Sequence, residues 1–313
     1  MTSHSPTRVS ATFNDIDQLT VAMHDWDANF IPLGVAKGHY RLDVLASPSV
    51  VLQRFMFDKS MCERGAPPAG AVTIGLASTS EGVVSINNVK CKQDALIIFP
   101  ARQEFESNSK SGFTCSTITI ANELLAQLTE HHKIDIDVET LSTVEKVLAI
   151  SAQDAYFIDG LLKEALFTEA TEGVRHKRIL ENDLPLKLLS IFAGAKGIFP
   201  ASRRRNIVLS RARKFIENNF SAPISVSDIY QFSNCNERML QRVFNDYVGV
   251  SPVEYIRTIR LNSARKKIKT SGTELSITDI AYSCGFSHLG RFSDYYRQIY
   301  GEPPSETKRR RVI

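Results

Sequence analysis

Apolar and polar positions change rhythm twice along this 313-residue chain. Over 35–120 they form short runs or alternate, as in His-Tyr-Arg-Leu-Asp-Val-Leu (39–45), Val-Val-Leu-Gln-Arg-Phe-Met-Phe (50–57) and Ala-Val-Thr-Ile-Gly-Leu-Ala (71–77). Val-Val-Ser-Ile (83–86), Ala-Leu-Ile-Ile-Phe (95–99) and Phe-Thr-Cys-Ser-Thr-Ile-Thr-Ile (113–120) continue the series, with Pro48, Gly65, Pro68, Gly82 and Pro100 between the runs. Alternation puts every second side chain on one face of a strand, so the pattern predicts six short strands in a small β-barrel or sandwich. Helical spacing follows at Leu124, Leu125 and Leu128, then at Leu141, Val144, Val147 and Leu148. Two longer helical stretches, 152–171 and 174–194, predict an antiparallel pair whose apolar stripe is a core or a dimer surface. The polar, basic stretch 201–206 reads as a linker, which leaves 1–200 as one domain (β-rich over 35–120, helical over 121–198) and 207–313 as a second.

Beyond 206 the pattern is helical throughout, and it repeats. Ser225-Val-Ser-Asp-Ile229 aligns with Ser276-Ile-Thr-Asp-Ile280 at an offset of 51. One extra residue then raises the offset to 52, so that Leu240 matches Phe292, Phe244 matches Tyr296, Gly249 matches Gly301 and Pro252 matches Pro304. Each copy opens on Ser-x-x-Asp, where the serine accepts exposed N–H groups of the first turn and the aspartate sits on the positive helix end. Each then has a tight turn, Ser233-Asn234-Cys235 or Cys284-Gly285-Phe286, at residues that tolerate a left-handed backbone. Together these features predict two helix-turn-helix units in series, about 225–247 and 276–300. A single long helix over 253–270 joins them, with Tyr255, Ile256, Ile259, Ala264 and Ile268 on its apolar side.

Charge sharpens the division. The chain as a whole carries a net +4, but 201–313 holds 20 Lys and Arg against 10 Asp and Glu, a net of +10, and the first 200 residues carry −6. A basic module beside an acidic one suits a polyanionic partner. Hydrophobic residues make up 43% of the sequence, enough for packed cores, and no apolar run reaches the roughly 18 residues of a membrane-spanning helix. Five scattered cysteines (Cys62, Cys91, Cys115, Cys235, Cys284) form no disulfide or zinc pattern. The polar N-terminus lacks the basic and apolar regions of a secretory signal. A cytoplasmic protein without membrane contact is expected.

On the residues quoted, 207–307 resembles the DNA-binding domain of the AraC/XylS family of bacterial transcription regulators. The resemblance is carried by Ser225-Val-Ser-Asp-Ile, Leu240-Gln-Arg-Val-Phe244, Gly249-Val-Ser-Pro252 and Ile259-Arg-Leu-Asn262 in the first unit. In the second it is carried by Ile280-Ala281, Gly285-Phe-Ser-His-Leu-Gly-Arg-Phe292, Tyr296-Arg297 and Gly301-Glu-Pro-Pro-Ser305. It covers about a third of the chain, and the first 200 residues are more loosely similar to the family's variable sensory and dimerisation domain. The resemblance implies an α+β protein of two domains, an N-terminal small β-barrel or sandwich with a helical pair and an all-α double helix-turn-helix. It implies double-stranded promoter DNA, RNA polymerase and a small-molecule effector as partners, a homodimer, and activation as the mode of regulation.

A recognition helix reads bases with residues near its N-terminal end. The outward positions of the first are Arg238, Gln241 and Arg242, with Asn236 and Glu237 at its entrance, while Met239, Leu240, Val243 and Phe244 fall on the opposite stripe. In the second helix His288, Arg291 and Ser293 are the corresponding base-contact candidates. Gly290 stands where the first has Arg238, and Asp294 where it has Arg242. Phosphate contacts are expected from Arg257, Arg260, Arg265, Lys266, Lys267 and Arg297, with further basic clusters at 203–205 and 308–311.

The competing class is a small-molecule-binding or metal-dependent β-barrel enzyme with an accessory nucleic-acid-binding domain. Only His39 lies among the strands, His131 and His132 diverge as neighbours, and no nucleophile elbow, zinc-protease or phosphate-loop motif is present. The sequence thus points to no catalytic residue, no metal site and no cofactor, and it names no effector-pocket residue. An RNA partner would also suit the charge, but paired helix-turn-helix units fit the DNA major groove better than the deep, narrow groove of RNA.

Overall fold

A computed structural model describes residues 6–23, 26–33, 38–77, 83–87, 95–99, 101–143, 146–168, 173–194, 203–270 and 275–310. Eleven strands are present among them: β1 (Thr7–Phe13), β2 (Asp27–Leu33), β3 (Tyr40–Ala46), β4 (Val50–Phe57), β5 (Ser60–Ala66), β6 (Ala71–Ala77), β7 (Val83–Ile86), β8 (Ala95–Phe99), β9 (Phe105–Ser109), β10 (Phe113–Ala121) and β11 (Lys146–Ala149). They form two antiparallel sheets, one ordered β1-β3-β4-β10-β6-β8-β11 and the other β2-β5-β9-β7. Among the described residues neither sheet closes on itself, so they form two layers and the expected closed barrel is not seen.

Period-2 alternation decides what each face of the larger sheet meets. Leu52 of β4, Ile74 of β6, Ile98 of β8 and Ile118 of β10 share one core with helices α2 (Asn122–His132), α3 (Val138–Thr143), α4 (Ala152–Phe167) and the α5–α6 segment. That segment runs as α5 (Gly173–Arg178), a π-helical stretch (Ile179–Asp183) and α6 (Leu184–Gly194). The other face packs against the smaller sheet through Tyr40, Phe55, Phe57 and Phe113 on one side and Phe30 and Met61 on the other, with short helix α1 (Ile16–Ala22) closing one end. The expected helical pair is therefore present, and its apolar stripe is core. The expected helical spacing over 141–148 instead ends in β11, whose Val147 and Leu148 point into different cores.

Between the sheets a small cavity holds one carboxylate. Glu63 of β5 accepts hydrogen bonds from the hydroxyls of Ser107 (2.8 Å) and Ser109 (3.1 Å) on the neighbouring β9. Burial pushes its pKa up from 4.5 to about 7, against the opposing pull of the two serines. A raised folded-state value contributes stability that is complete below the unfolded pKa and is lost as pH rises toward 7. Glu63→Gln should remove that dependence. In urea titrations the stability of the variant relative to the parent should rise by roughly 2–3 kcal/mol between pH 4.5 and 8. A difference that stays flat over this range would place the Glu63 carboxyl in an ordinary aqueous environment.

The C-terminal domain contains α7 (Arg203–Asn219), α8 (Val226–Phe232), α9 (Glu237–Tyr247), α10 (Pro252–Thr270), α11 (Ile277–Ser283), α12 (Leu289–Tyr300) and α13 (Pro304–Arg310). Helix α7 begins inside the stretch read as a linker. The two domains are in contact: Ile31, Leu33 and Cys62 from the outer face of the smaller sheet lie in one core with Val208, Leu209, Ala212 and Ile216 of α7 and with Tyr255 and Ile259 of α10.

Candidate nucleic-acid interface

The two units repeat at atomic level. Ser225 accepts the backbone N–H of Asp228 (3.2 Å) while the Asp228 carboxylate accepts that of Ser225 (2.8 Å). Ser276 and Asp279 do the same at 3.0 and 3.2 Å. These reciprocal bonds satisfy the free N–H groups at the start of α8 and α11. The turns that follow hold Asn234 at φ 52° and Gly285 at φ 84°, and the second helices run out into Gly249 (φ 82°) and Gly301 (φ 77°). Gly285 is the more constrained turn residue, because a Cβ there would lie 2.8 Å from the carbonyl oxygen of Phe220 and 2.9 Å from that of Ser221.

In α9, Leu240, Val243, Phe244 and Tyr247 are buried. The opposite side therefore faces water, with Glu237, Arg238 and Arg242 exposed and Gln241 half-buried. Asn236 is the N-cap and accepts the N–H of Met239 (2.8 Å), so part of its side chain is engaged in holding the helix start. Arg242 has Asp246 3.8 Å away, one turn along, a loose exposed pair that leaves the guanidinium accessible. In α12, Phe292, Tyr296 and Ile299 are buried, Arg291 and Arg297 are exposed and Ser293 is half-buried. His288 stands at the N-cap position without capping through its side chain. Gly290 faces open space, and Asp294 is exposed.

Helix α10 welds the units together. Tyr255, Ile256 and Ile259 enter the core of the first unit, and Leu261, Ala264 and Ile268 that of the second. Its basic residues divide by face. Lys266 is exposed, and Lys267 donates to the Ser283 hydroxyl (2.8 Å) from a partly exposed position. Arg257 stacks on the ring of Tyr295 at 4.3 Å. Two expected phosphate ligands are engaged elsewhere. Arg260 donates to the carbonyl oxygens of Phe220 (2.6 Å) and Ala222 (2.7 Å). Arg265, its side chain 5% exposed, pairs with Asp15 (2.9 Å), Asp17 (2.6 Å) and Glu302 (3.5 Å). The C-terminal cluster folds back as well: Arg310 pairs with Glu302 (2.8 Å), and Lys308 donates to the carbonyl of Leu275 (2.6 Å). Arg311 and the side chains of Arg203 and Arg204 lie outside the described residues.

Sequence reasoning missed the contacts that join the C-terminal domain to the sandwich. Arg64 of β5 pairs with Glu217 of α7 and donates to the Tyr255 hydroxyl (3.1 Å), while Arg213 of α7 pairs with Glu106 of β9. Ser85 of β7 donates to the carbonyl of Tyr247 (2.6 Å), at the last turn of α9, and Lys59 donates to that of Ile299 (3.0 Å) on α12. Burial lowers the Lys59 pKa to about 8. Isolated Arg, Glu and Ser residues in a strand pattern carry no signal of such pairing. Among the described residues no group of three or more His, Cys, Asp or Glu side chains is placed to hold a metal, and no helix is long and apolar enough to cross a membrane.

Residues 229–310 match the family described as a helix-turn-helix domain. The chain is similar to the XylDLEGF operon transcriptional activator 2 of Pseudomonas putida, 36% identical over 103 residues that cover 33% of this chain and 66% of that one. It is also similar to the XylDLEGF operon transcriptional activator of Pseudomonas putida, 37% identical over 105 residues covering 33% of each. Among solved structures, a probable AraC family transcriptional regulator from Rhodopseudomonas palustris CGA009 is 32% identical, with 33% of this chain and 96% of that one covered and a TM-score of 0.32. The chain thus spans just under two thirds of the first of these activators and a third of the second.

Proposed function

From a C-terminal third that is a helix-turn-helix domain of the AraC/XylS type, we propose that the chain is a sequence-specific DNA-binding transcription regulator. It acts as an effector-responsive activator, placing α9 and α12 in successive major-groove segments of promoter DNA, about one helical turn apart. One arrangement carries this reading: two helices, each preceded by the same capped helix and turn, exposed on their polar sides and held to one another by α10.

On α9, Arg238 and Arg242 take guanine edges and Gln241 an adenine edge, with Asn236 and Glu237 at the entrance. On α12, Arg291, His288 and Ser293 supply fewer contacts, since Gly290 reaches nothing and Asp294 repels phosphate. Lys266, Lys267, Arg257 and Arg297 meet the backbone. Arg260 and Arg265 are left out of the phosphate set because their guanidinium groups are already bonded within the protein. The sandwich domain senses the effector and pairs two chains. Effector binding favours one of two states through differential affinity, and the contacts between sandwich and α7, α9, α10 and α12 are the element that changes. RNA polymerase is the downstream partner of the DNA-bound dimer.

Two substitutions separate base reading from charge. Arg242→Ala is expected to weaken binding by about 1–3 kcal/mol and to relax preference at one base position. Lys266→Ala is expected to weaken all sequences alike and to reduce the slope of log K against log salt by about 0.9. Mobility-shift titrations on a site with each base permuted, at three salt concentrations, give both quantities. Uniform losses from both variants would remove Arg242 from the reading set.

A further inference from the structure

The cavity between the sheets has a chemistry that DNA binding does not use. Its wall is built from aromatic rings, among them Trp26, Phe55, Phe57, Phe99, Phe105 and Phe113. Trp26 meets Phe99 and Phe105 edge-on at 6.3 and 5.9 Å, and Phe57 stacks on Phe113 at 6.0 Å. Into this wall projects the Glu63 carboxylate, held by the Ser107 and Ser109 hydroxyls. Among the described residues no cation pairs with it. Arg64 also borders the cavity, but its guanidinium bonds Glu106, Glu217 and Tyr255 on the other face of the sheet. The cavity volume is about 40 Å³, room for a compact group of a few non-hydrogen atoms.

A half-buried carboxylate set among aromatic rings without a counter-charge is unfavourable, and two serine hydroxyls offset only part of that penalty. Aromatic faces carry negative potential and attract cations most when water is excluded. Both features disfavour an anion, and a neutral apolar guest would gain nothing from the carboxylate. We propose that this cavity binds a small organic cation, an alkylammonium, with its nitrogen on Glu63 and its alkyl part against the rings. The proposal deepens the effector-responsive reading above and rests on it, by naming the chemical class of the effector.

The same strands lead from the cavity to the DNA-facing domain. On β5, Glu63 points inward and its neighbour Arg64 outward to Glu217 and Tyr255. On β9, Ser107 and Ser109 point inward, while Glu106 meets Arg213 and Asn108 meets the Ser85 hydroxyl (3.4 Å), which bonds the end of α9 at Tyr247. A cation that draws in Glu63 acts on the two strands whose opposite faces hold α7, α9 and α10.

Three probes of similar size and different charge test this on the full chain: propylammonium, 1-propanol and propionate, titrated by calorimetry at matched ionic strength up to tens of millimolar. Propylammonium is expected to bind at least tenfold more tightly than either counterpart, and Glu63→Gln to weaken propylammonium at least tenfold while leaving the two others unchanged. Thermal unfolding of the variant, expected at or above the parent temperature, shows that it is folded. Absence of propylammonium binding, equal binding of propionate or propanol, or indifference of propylammonium to Glu63→Gln would overturn the proposal. A genomic-DNA binding assay on the same samples separates the two readings. Specific DNA binding without cation uptake refutes the ammonium site alone, and cation uptake without DNA binding refutes the regulator reading alone.

Discussion

Arg265→Ala is expected to destabilise the chain by about 3 kcal/mol, measured as a lower urea midpoint at unchanged slope. The guanidinium is buried beneath the ring of Tyr300 (4.4 Å to its centre) and faces Asp15, Asp17 and Glu302, whose side chains are 31%, 40% and 10% exposed. Removing it leaves three carboxylates close together, with Lys269 on Asp17 and Arg310 on Glu302 as the remaining cations. The partial exposure of Asp15 and Asp17 screens some of that repulsion, which keeps the figure at the low end of the range for a broken buried pair. Although burial alone would raise it, the charges of Arg265 and Lys269 hold the Asp17 carboxyl below its usual pKa, consistent with a favourable ionised cluster. The effect reaches beyond stability, because Arg265 lies on α10 and Asp15 and Asp17 lie at the start of α1. A loss below about 1 kcal/mol would mean that the domains are not held through this cluster.

Gly285→Ala should be of similar size, roughly 3 kcal/mol, and should act on DNA binding more directly. The substituted residue would have to adopt φ 84° and place its Cβ against the carbonyl oxygens of Phe220 and Ser221 and beside Arg260 Nε, at 2.8 to 2.9 Å. The left-handed backbone alone costs about 1–2 kcal/mol, and overpacking against fixed backbone adds a comparable amount. Relief of the clash must shift α11 and α12 away from the first unit, so a site needing both helices should lose affinity at least tenfold. Gly249→Ala is the control. It has a similar φ of 82° but open space around it, so only the backbone penalty of about 1 kcal/mol is expected. Equal effects of the two substitutions on stability and DNA binding would show that the Phe220–Ser221 contact does not set the spacing of the units.

Much of the C-terminal domain was legible in the sequence because its signals are local. Ser225 and Asp228, and again Ser276 and Asp279, cap their own helices, and Asn234 and Gly285 take the left-handed turns that their residue types favour. Leu240, Val243 and Phe244 fall on one side of α9 by periodicity alone, which leaves Arg238 and Arg242 on the other.

What escaped sequence reasoning depends on distant partners. Strand β9 reads Phe-Glu-Ser-Asn-Ser and is not among the six expected strands, yet its polar residues are used on both faces, Ser107 and Ser109 on Glu63, Glu106 on Arg213 and Asn108 on Ser85. Strands β5 and β1 are not among the six expected: β5 runs through Cys-Glu-Arg-Gly without an apolar run, and β1 is an edge strand whose side chains are largely exposed. The spacing of Leu141, Val147 and Leu148 fits a helix as well as a short strand, and pairing with β8 decides for the strand. The charges on α10 could not be sorted from the sequence, because which face meets the sandwich is fixed only when Ile31, Leu33 and Cys62 enter its core.

The central claim is specific recognition of promoter DNA, and it is tested most directly by capturing fragmented genomic DNA of the encoding organism with the purified full chain. The capture is made at about physiological salt, with and without propylammonium, followed by sequencing of what is retained. Enrichment of one or a few promoter regions, lost in Arg238→Ala/Arg242→Ala, is the predicted result. Retention of no DNA, or uniform retention that the double substitution leaves unchanged in sequence preference, would contradict it.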